Sequence, residues 1–146
     1  MRMPFLVFAV ILTAASDAAP SLAVGAISIH DGWIRALPAG VPSGGYFTLH
    51  NGSGKDLVLT GAASPACGML MLHKSENMGG MSKMEQVAEI AVPQGQDVVF
   101  APGGYHLMCM DAKPEIKPGG KVPVTLGFKD GTQVTAAFAV RNAMGK

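Results

Sequence analysis

From Ile27 onward, hydrophobic and polar residues alternate in short stretches, each ended by Gly, Pro, Asn or Asp. A period of two places successive side chains on opposite faces of a strand, so these stretches predict β-structure. ISIHDGWIRA (27–36) alternates around a turn at Asp31-Gly32, GYFTLHN (45–51) stops at Asn51-Gly52, and DLVLTGA (56–62) follows. GMLMLHK (68–74), KMEQVAEIAV (83–92), QDVVFAP (96–102) and YHLMCMD (105–111) continue the pattern. VPVTLGFKDGTQVTAAFAV (122–140) predicts a terminal hairpin turning at Asp130-Gly131, because Gly accepts a positive φ. PAGVPSGG (38–45) and EIKPGGK (115–121) read as loop and turn, and SENMGGMS (75–82) as a Met-rich loop or hairpin tip. Roughly eight to ten strands and no helix are expected. The chain is read as all-β, a single-domain sandwich with Greek-key connections.

The N-terminus departs from this pattern. Residues 3–15, MPFLVFAVILTAA, are almost wholly apolar, follow Arg2, and are succeeded by small residues. The run is too short to span a bilayer and reads as a secretory signal peptide. Cleavage after Ala23 fits the small-x-small rule, with Ala18 and Ala19 as other sites; an uncleaved anchor is the competing reading. The expected division is a signal peptide at 1–23 and a β-domain at 24–146, exported to the periplasm.

Charge narrows the function. Eleven basic against ten acidic residues give +1, with no basic patch for nucleic acid and no acidic tail. Two cysteines, Cys67 and Cys109, do not make a disulfide scaffold. Cys109 is read as a buried thiol packing as a small hydrophobe, with a Cys67–Cys109 bridge as the alternative. No nucleophile elbow, phosphate loop, paired-carboxylate site or C-x-x-C is present, so no enzymatic activity is expected.

The candidate chemistry lies in four soft donors. Ten residues separate His73 from Met84, twenty-one separate Met84 from His106, and one separates His106 from Met108. Neutral imidazole and thioether together favour Cu(I), and a thioether cannot be lost to disulfide formation in an oxidising compartment. In YHLMCMD, His106, Met108 and Met110 share one face, opposite Leu107 and Cys109. In GMLMLHK, Met69, Met71 and His73 share a face, opposite Leu70 and Leu72. Met84 would close the site from a third side. Seven of the ten methionines fall between Met69 and Met110. Met69 and Met71 are nevertheless assigned to core packing, where Met is a common gap-filler. Met78 and Met81 are expected to form an adaptable apolar rim. His30 and His50, which lack Met neighbours, are read as structural or solvent-facing.

The order H-x10-M-x21-H-x-M, together with DGWIRALPAGVPSGGYFTLHN (31–51), SPACGMLMLHK (64–74), MSKMEQV (81–87) and PGGYHLMCMDAKPEIKPGGKVPVTLGF (102–128), resembles the periplasmic copper chaperones called PCuAC. The resemblance covers essentially the whole chain after the signal peptide. It implies a cupredoxin-like β-sandwich binding one Cu(I) through His73, Met84, His106 and Met108. It also implies a copper-accepting partner, an oxidase subunit or assembly factor, in the building of cytochrome c oxidase copper centres. The His/Met-rich C-terminal tail of some members is not matched, since only Met144 lies beyond the predicted strands. Competing readings are a copper buffer or resistance protein, a blue-copper electron carrier, and an adhesion sandwich with incidental methionines. A blue-copper centre needs two His, one Cys and a weak axial Met. Here no His follows Cys109.

Overall fold

The computed structural model describes residues 26–146, apart from the side chains of Met78 and Ser82. The signal peptide expected at 1–23 lies outside the described residues. Among the described residues there are ten strands: β1 (Ile27–Arg35), β2 (Ser43–Asn51), β3 (Leu57–Ala63), β4 (Cys67–Met78), β5 (Met81–Gln86), β6 (Ile90–Val92), β7 (Asp97–Phe100), β8 (Tyr105–Ala112), β9 (Lys121–Phe128) and β10 (Gln133–Arg141). No helix occurs among the described residues.

The strands form one hydrogen-bonded sheet in the order β5-β4-β8-β7-β2-β1-β10-β9-β3-β6. β3 and β4 stand far apart in that order yet pack against each other, so the sheet folds over into two layers. The expected sandwich is therefore built from one continuous sheet. Neighbours distant in sequence, such as β4–β8, β2–β7 and the parallel pair β1–β10, replace a simple meander. Between the layers, Ile34, Leu49, Leu59, Leu107, Leu126 and Phe138 are fully buried in one cluster. Phe47 stacks on Phe100 at 4.3 Å. At about 1.5–3 kcal/mol for each such side chain, this inward face supplies most of the drive to fold.

Asp31-Gly32 is not the turn expected from its sequence. β1 runs through it with a bulge, the register against β2 slipping between His30 and Trp33. Asp31 takes the left-handed conformation, φ 54°. The same local preference that favours a turn here re-aims the strand instead. Gly32 is required by close approach, since a Cβ there would lie 2.7 Å from the Phe138 ring. Gly32→Ala is expected to lower stability by about 1–3 kcal/mol through overpacking, read as a shift in the denaturant midpoint. An unchanged midpoint would show that the Phe138 ring yields freely.

A second correction concerns the cysteines. Cys67 and Cys109 are bonded to each other, with their Cα atoms 5.5 Å apart. Both are buried as expected, but Cys109 is not a free thiol. The antiparallel pairing of β4 with β8 brings them within bridging range, a tertiary fact that spacing alone does not carry. At the opposite end of the sandwich the buried Asn51 is fully satisfied. Its amide donates to the Lys55 and Val92 carbonyls at 2.8 Å each, and its carbonyl accepts from Ser53.

Candidate metal centre

Residue alternation in β4 and β8 sorts two kinds of side chain. Leu70, Leu72, Leu107 and Cys109 enter the core, all 8% exposed or less. Met69, Met71 and His73 on β4, and His106, Met108 and Met110 on β8, take the other face. The register sets His73 opposite His106 and Met71 opposite Met108. The two imidazoles meet edge-on, with ring centroids 5.7 Å apart.

The nitrogens of this pair are poorly served by the protein. His106 is buried, and its Nδ1–H donates to the Gly104 carbonyl at 3.2 Å. That carbonyl can only accept, so the contact fixes the tautomer and leaves the Nε2 lone pair available. His106 Nε2 and both ring nitrogens of His73 are shielded from solvent without a hydrogen-bond partner. Leaving buried polar atoms unpaired costs about 1–3 kcal/mol each, a cost a bound cation would remove. Burial, and then the neighbouring His106, hold the His73 pKa below the usual imidazole value. His73 therefore stays neutral, the form that ligates metals, to lower pH than a free histidine.

Met84 arrives from a third strand, as expected. β4 and β5 form a hairpin that turns at Gly79-Gly80, both at positive φ. The hairpin sets Met84 opposite Ser75, while His73 faces Gln86. The Ser75 amide donates to the same Gly104 carbonyl at 3.0 Å, tying loop 102–104 to β4 beside His106. Met84, His106 and Met108 then line one hollow of about 290 Å³. His73 adjoins this hollow through the His106 ring and is not part of its lining. Met84 is 53% exposed and Met81 75%, so this rim is open to solvent and to a partner. A larger hollow of about 370 Å³ lies elsewhere, beside the Lys55–Asp130 ion pair, and its lining holds no His, Met or Cys.

Three features depart from the sequence expectation. Met69 and Met71, expected in the core, lie on the outer face, where Met69 is 58% exposed and Met71 half-buried. The leucines of β4 already fill the core side, leaving these methionines the other face. The second feature is the far wall of the hollow, which includes Arg35 and Tyr46. Tyr46 packs on Trp33 at 4.7 Å, and the Arg35 guanidinium lies 5.5 Å from the Trp33 ring. The third is Gly44, which faces Met108 across β2–β8; a Cβ there would sit 2.5 Å from the Tyr46 hydroxyl oxygen. Only glycine lets Tyr46 lie over the strand beside the site. His50 pairs with Asp97 at 2.6 Å and His30 is exposed, and neither joins the hollow.

Among the described residues, no three His, Cys, Asp or Glu side chains are grouped to hold a metal. An ion bound at this face would need thioethers alongside imidazole, a soft donor set.

The fold places the chain among all-β proteins of PCuAC type. It superposes on a copper-bound PCuAC domain from PmoF2 with a TM-score of 0.65 at 26% identity, over 82% of this chain and 96% of that one. Cu(I)-bound DR1885 of Deinococcus radiodurans superposes with a TM-score of 0.65 at 28% identity, over 86% of this chain and 85% of that one. By sequence, the chain belongs to the LpqE-like family of lipoprotein type, whose family model matches residues 27–140. The lipoprotein-like Lxx21020 of Leifsonia xyli subsp. xyli is 30% identical over 132 residues, covering 90% of this chain and 79% of its own length.

Proposed function

We propose that this protein is an exported, non-enzymatic Cu(I) metallochaperone. One copper ion is held by His73 and His106 through imidazole nitrogen and by Met84 and Met108 through sulfur. The carrying observation is the His73–His106 pair, in which both His73 nitrogens and His106 Nε2 are shielded without a partner, set beside a hollow shared by Met84 and Met108. Two neutral imidazoles and two thioethers leave the complex at +1, a charge tolerable at a half-open site. Thioethers bind moderately, so a partner offering thiolates can take the ion by stepwise exchange. The partner in this reading is a periplasmic or membrane-anchored oxidase subunit or assembly factor, with delivery to cytochrome c oxidase copper centres. The copper-bound relatives support the cargo.

The Cys67–Cys109 bond supports an oxidising compartment such as the periplasm. The same bond removes the thiolate that a blue-copper electron carrier requires.

An anaerobic titration against a chromophoric Cu(I) chelator tests this reading. One Cu(I) is expected to be held tightly near neutral pH. Protons compete for the imidazoles, so affinity falls as pH drops through the lowered His73 value, by about tenfold per pH unit for that group alone. Failure to compete with the chelator, or an affinity flat down to pH 4, would remove the histidines from the site. Retention of copper in the presence of a thiolate acceptor domain would favour a copper buffer over a chaperone.

A further inference from the structure

The outer face of β4 and β8 does not end at the four donors. Three successive rungs of the ladder carry soft side chains: His73 opposite His106, Met71 opposite Met108, and Met69 opposite Met110. Directly opposed residues in an antiparallel pair have Cβ atoms about 4.5–5.5 Å apart. Rungs on one face follow at about 6.8 Å, two residues of rise. Met69, Met71, Met108 and Met110 therefore form a compact quadrilateral of thioethers adjoining the imidazole pair.

Packing does not account for this group. The inward positions of the same strands are filled by Leu70, Leu72, Leu107 and Cys109. Met69 is 58% exposed, and Met71 and Met110 are half-buried. β5 pairs with β4 only from His73 to Met78, so it leaves Met69 and Met71 without a strand partner on that side. On the other side Met108 faces Gly44, over which the end of the Tyr46 side chain lies. Solvent-facing positions of an antiparallel sheet ordinarily carry polar residues. Four adjacent thioethers instead give a neutral, flexible and polarisable donor set, with three rotatable bonds in each side chain to let the sulfurs converge.

We propose that Met69, Met71 and Met110 form a second Cu(I) site, weaker than the first and built from thioethers alone. It rests on the reading of His73, Met84, His106 and Met108 as the primary Cu(I) site. Met108 belongs to both groups by position, so an ion passes between them by exchanging one ligand at a time. The copper stays Cu(I) throughout, no proton is released by a thioether, and no reductant is needed. Met69, 58% exposed at the end away from His106, gives an ion a second opening to solvent besides the Met84 rim.

The test is an anaerobic titration of the disulfide-bonded protein with Cu(I) against competing chelators of two strengths. Wild type is expected to take two equivalents, one resistant to the stronger chelator and one retained only against the weaker. The Met69→Leu, Met71→Leu, Met110→Leu variant keeps the apolar surface and should lose only the weak equivalent. The His73→Ala, His106→Ala variant should lose the tight equivalent and keep the weak one, with X-ray absorption showing sulfur-only coordination. Saturation of wild type at one equivalent that disappears in the histidine variant would overturn the second site and leave the primary one standing. Two equivalents persisting in the leucine variant would overturn it as well. One equivalent lost only in the leucine variant would overturn the primary assignment instead.

Discussion

Replacing His106 and Met108 together by alanine is expected to weaken tight Cu(I) binding by more than about 100-fold, since disturbing even the partners of metal ligands costs 10–100-fold. The fold should survive. Both side chains project from the outer face of β8, whereas Leu107 and Cys109, which hold β8 to the core and to β4, are untouched. His106 gives only one hydrogen bond, to Gly104, and its Nε2 has no protein partner to lose. Removing that orphaned nitrogen even offsets part of the cost of the space left behind. Thermal unfolding without metal should therefore shift little, and the copper-dependent rise in Tm expected of wild type should be absent, because only binding to the folded state raises it. His50→Ala is the matching control: His50 pairs with Asp97 and lies outside the hollow, so Cu(I) affinity should not change. Full affinity in the double variant would move the site elsewhere; loss of affinity in the control would point to a general destabilisation.

What made the candidate site legible in sequence was local alternation. GMLMLHK and YHLMCMD each place leucines on one face and His and Met on the other, and the structure keeps that division. The terminal hairpin was legible for a similar reason. Asp130 accepts from the Thr132 amide at 2.9 Å, a turn determined by adjacent residues. Long-range pairing was not legible. That β4 lies beside β8 decides both the Cys67–Cys109 bond and the opposition of His73 to His106, and no feature of either strand announces its neighbour. Met69 and Met71 were misassigned because an apolar side chain suggests burial. Alternation was the better guide, since Leu70 and Leu72 could not share the core face with them. Asp31-Gly32 shows the converse limit: a left-handed residue is compatible with a turn or a bulge, and the pairing of β1 with β2 decides which. Arg35 and Tyr46 gave no local signal, because they reach the hollow only through the pairing of β2 with β8 and of β1 with β2.

The largest effect on stability is expected from the Cys67→Ala, Cys109→Ala variant. The bond closes a loop with a sequence separation of 42, and the chain-entropy model assigns about 4 kcal/mol to such a crosslink. For a domain of this size that corresponds to a fall in Tm of about 15 °C. Reduced wild type separates the crosslink from the small cavity that two alanines leave: it keeps the sulfur atoms and should show most of the same fall. The consequence reaches the metal centre because the bond ties β4 to β8, the two strands whose register opposes His73 to His106. A variant that is still folded at 25 °C should retain the site, but with the ordering of those strands now drawn from the binding energy. Its Cu(I) affinity should be lower than wild type. Saturating copper should raise its Tm, by about 2.7 kcal/mol of stabilisation at a free concentration one hundred times Kd. A Tm unaltered by reduction would mean that core packing alone fixes β4 against β8. Unaltered copper affinity despite a lowered Tm would mean that the β4–β8 ladder, with the His106 and Ser75 hydrogen bonds to the Gly104 carbonyl, holds the His73–His106 rung without a covalent tie.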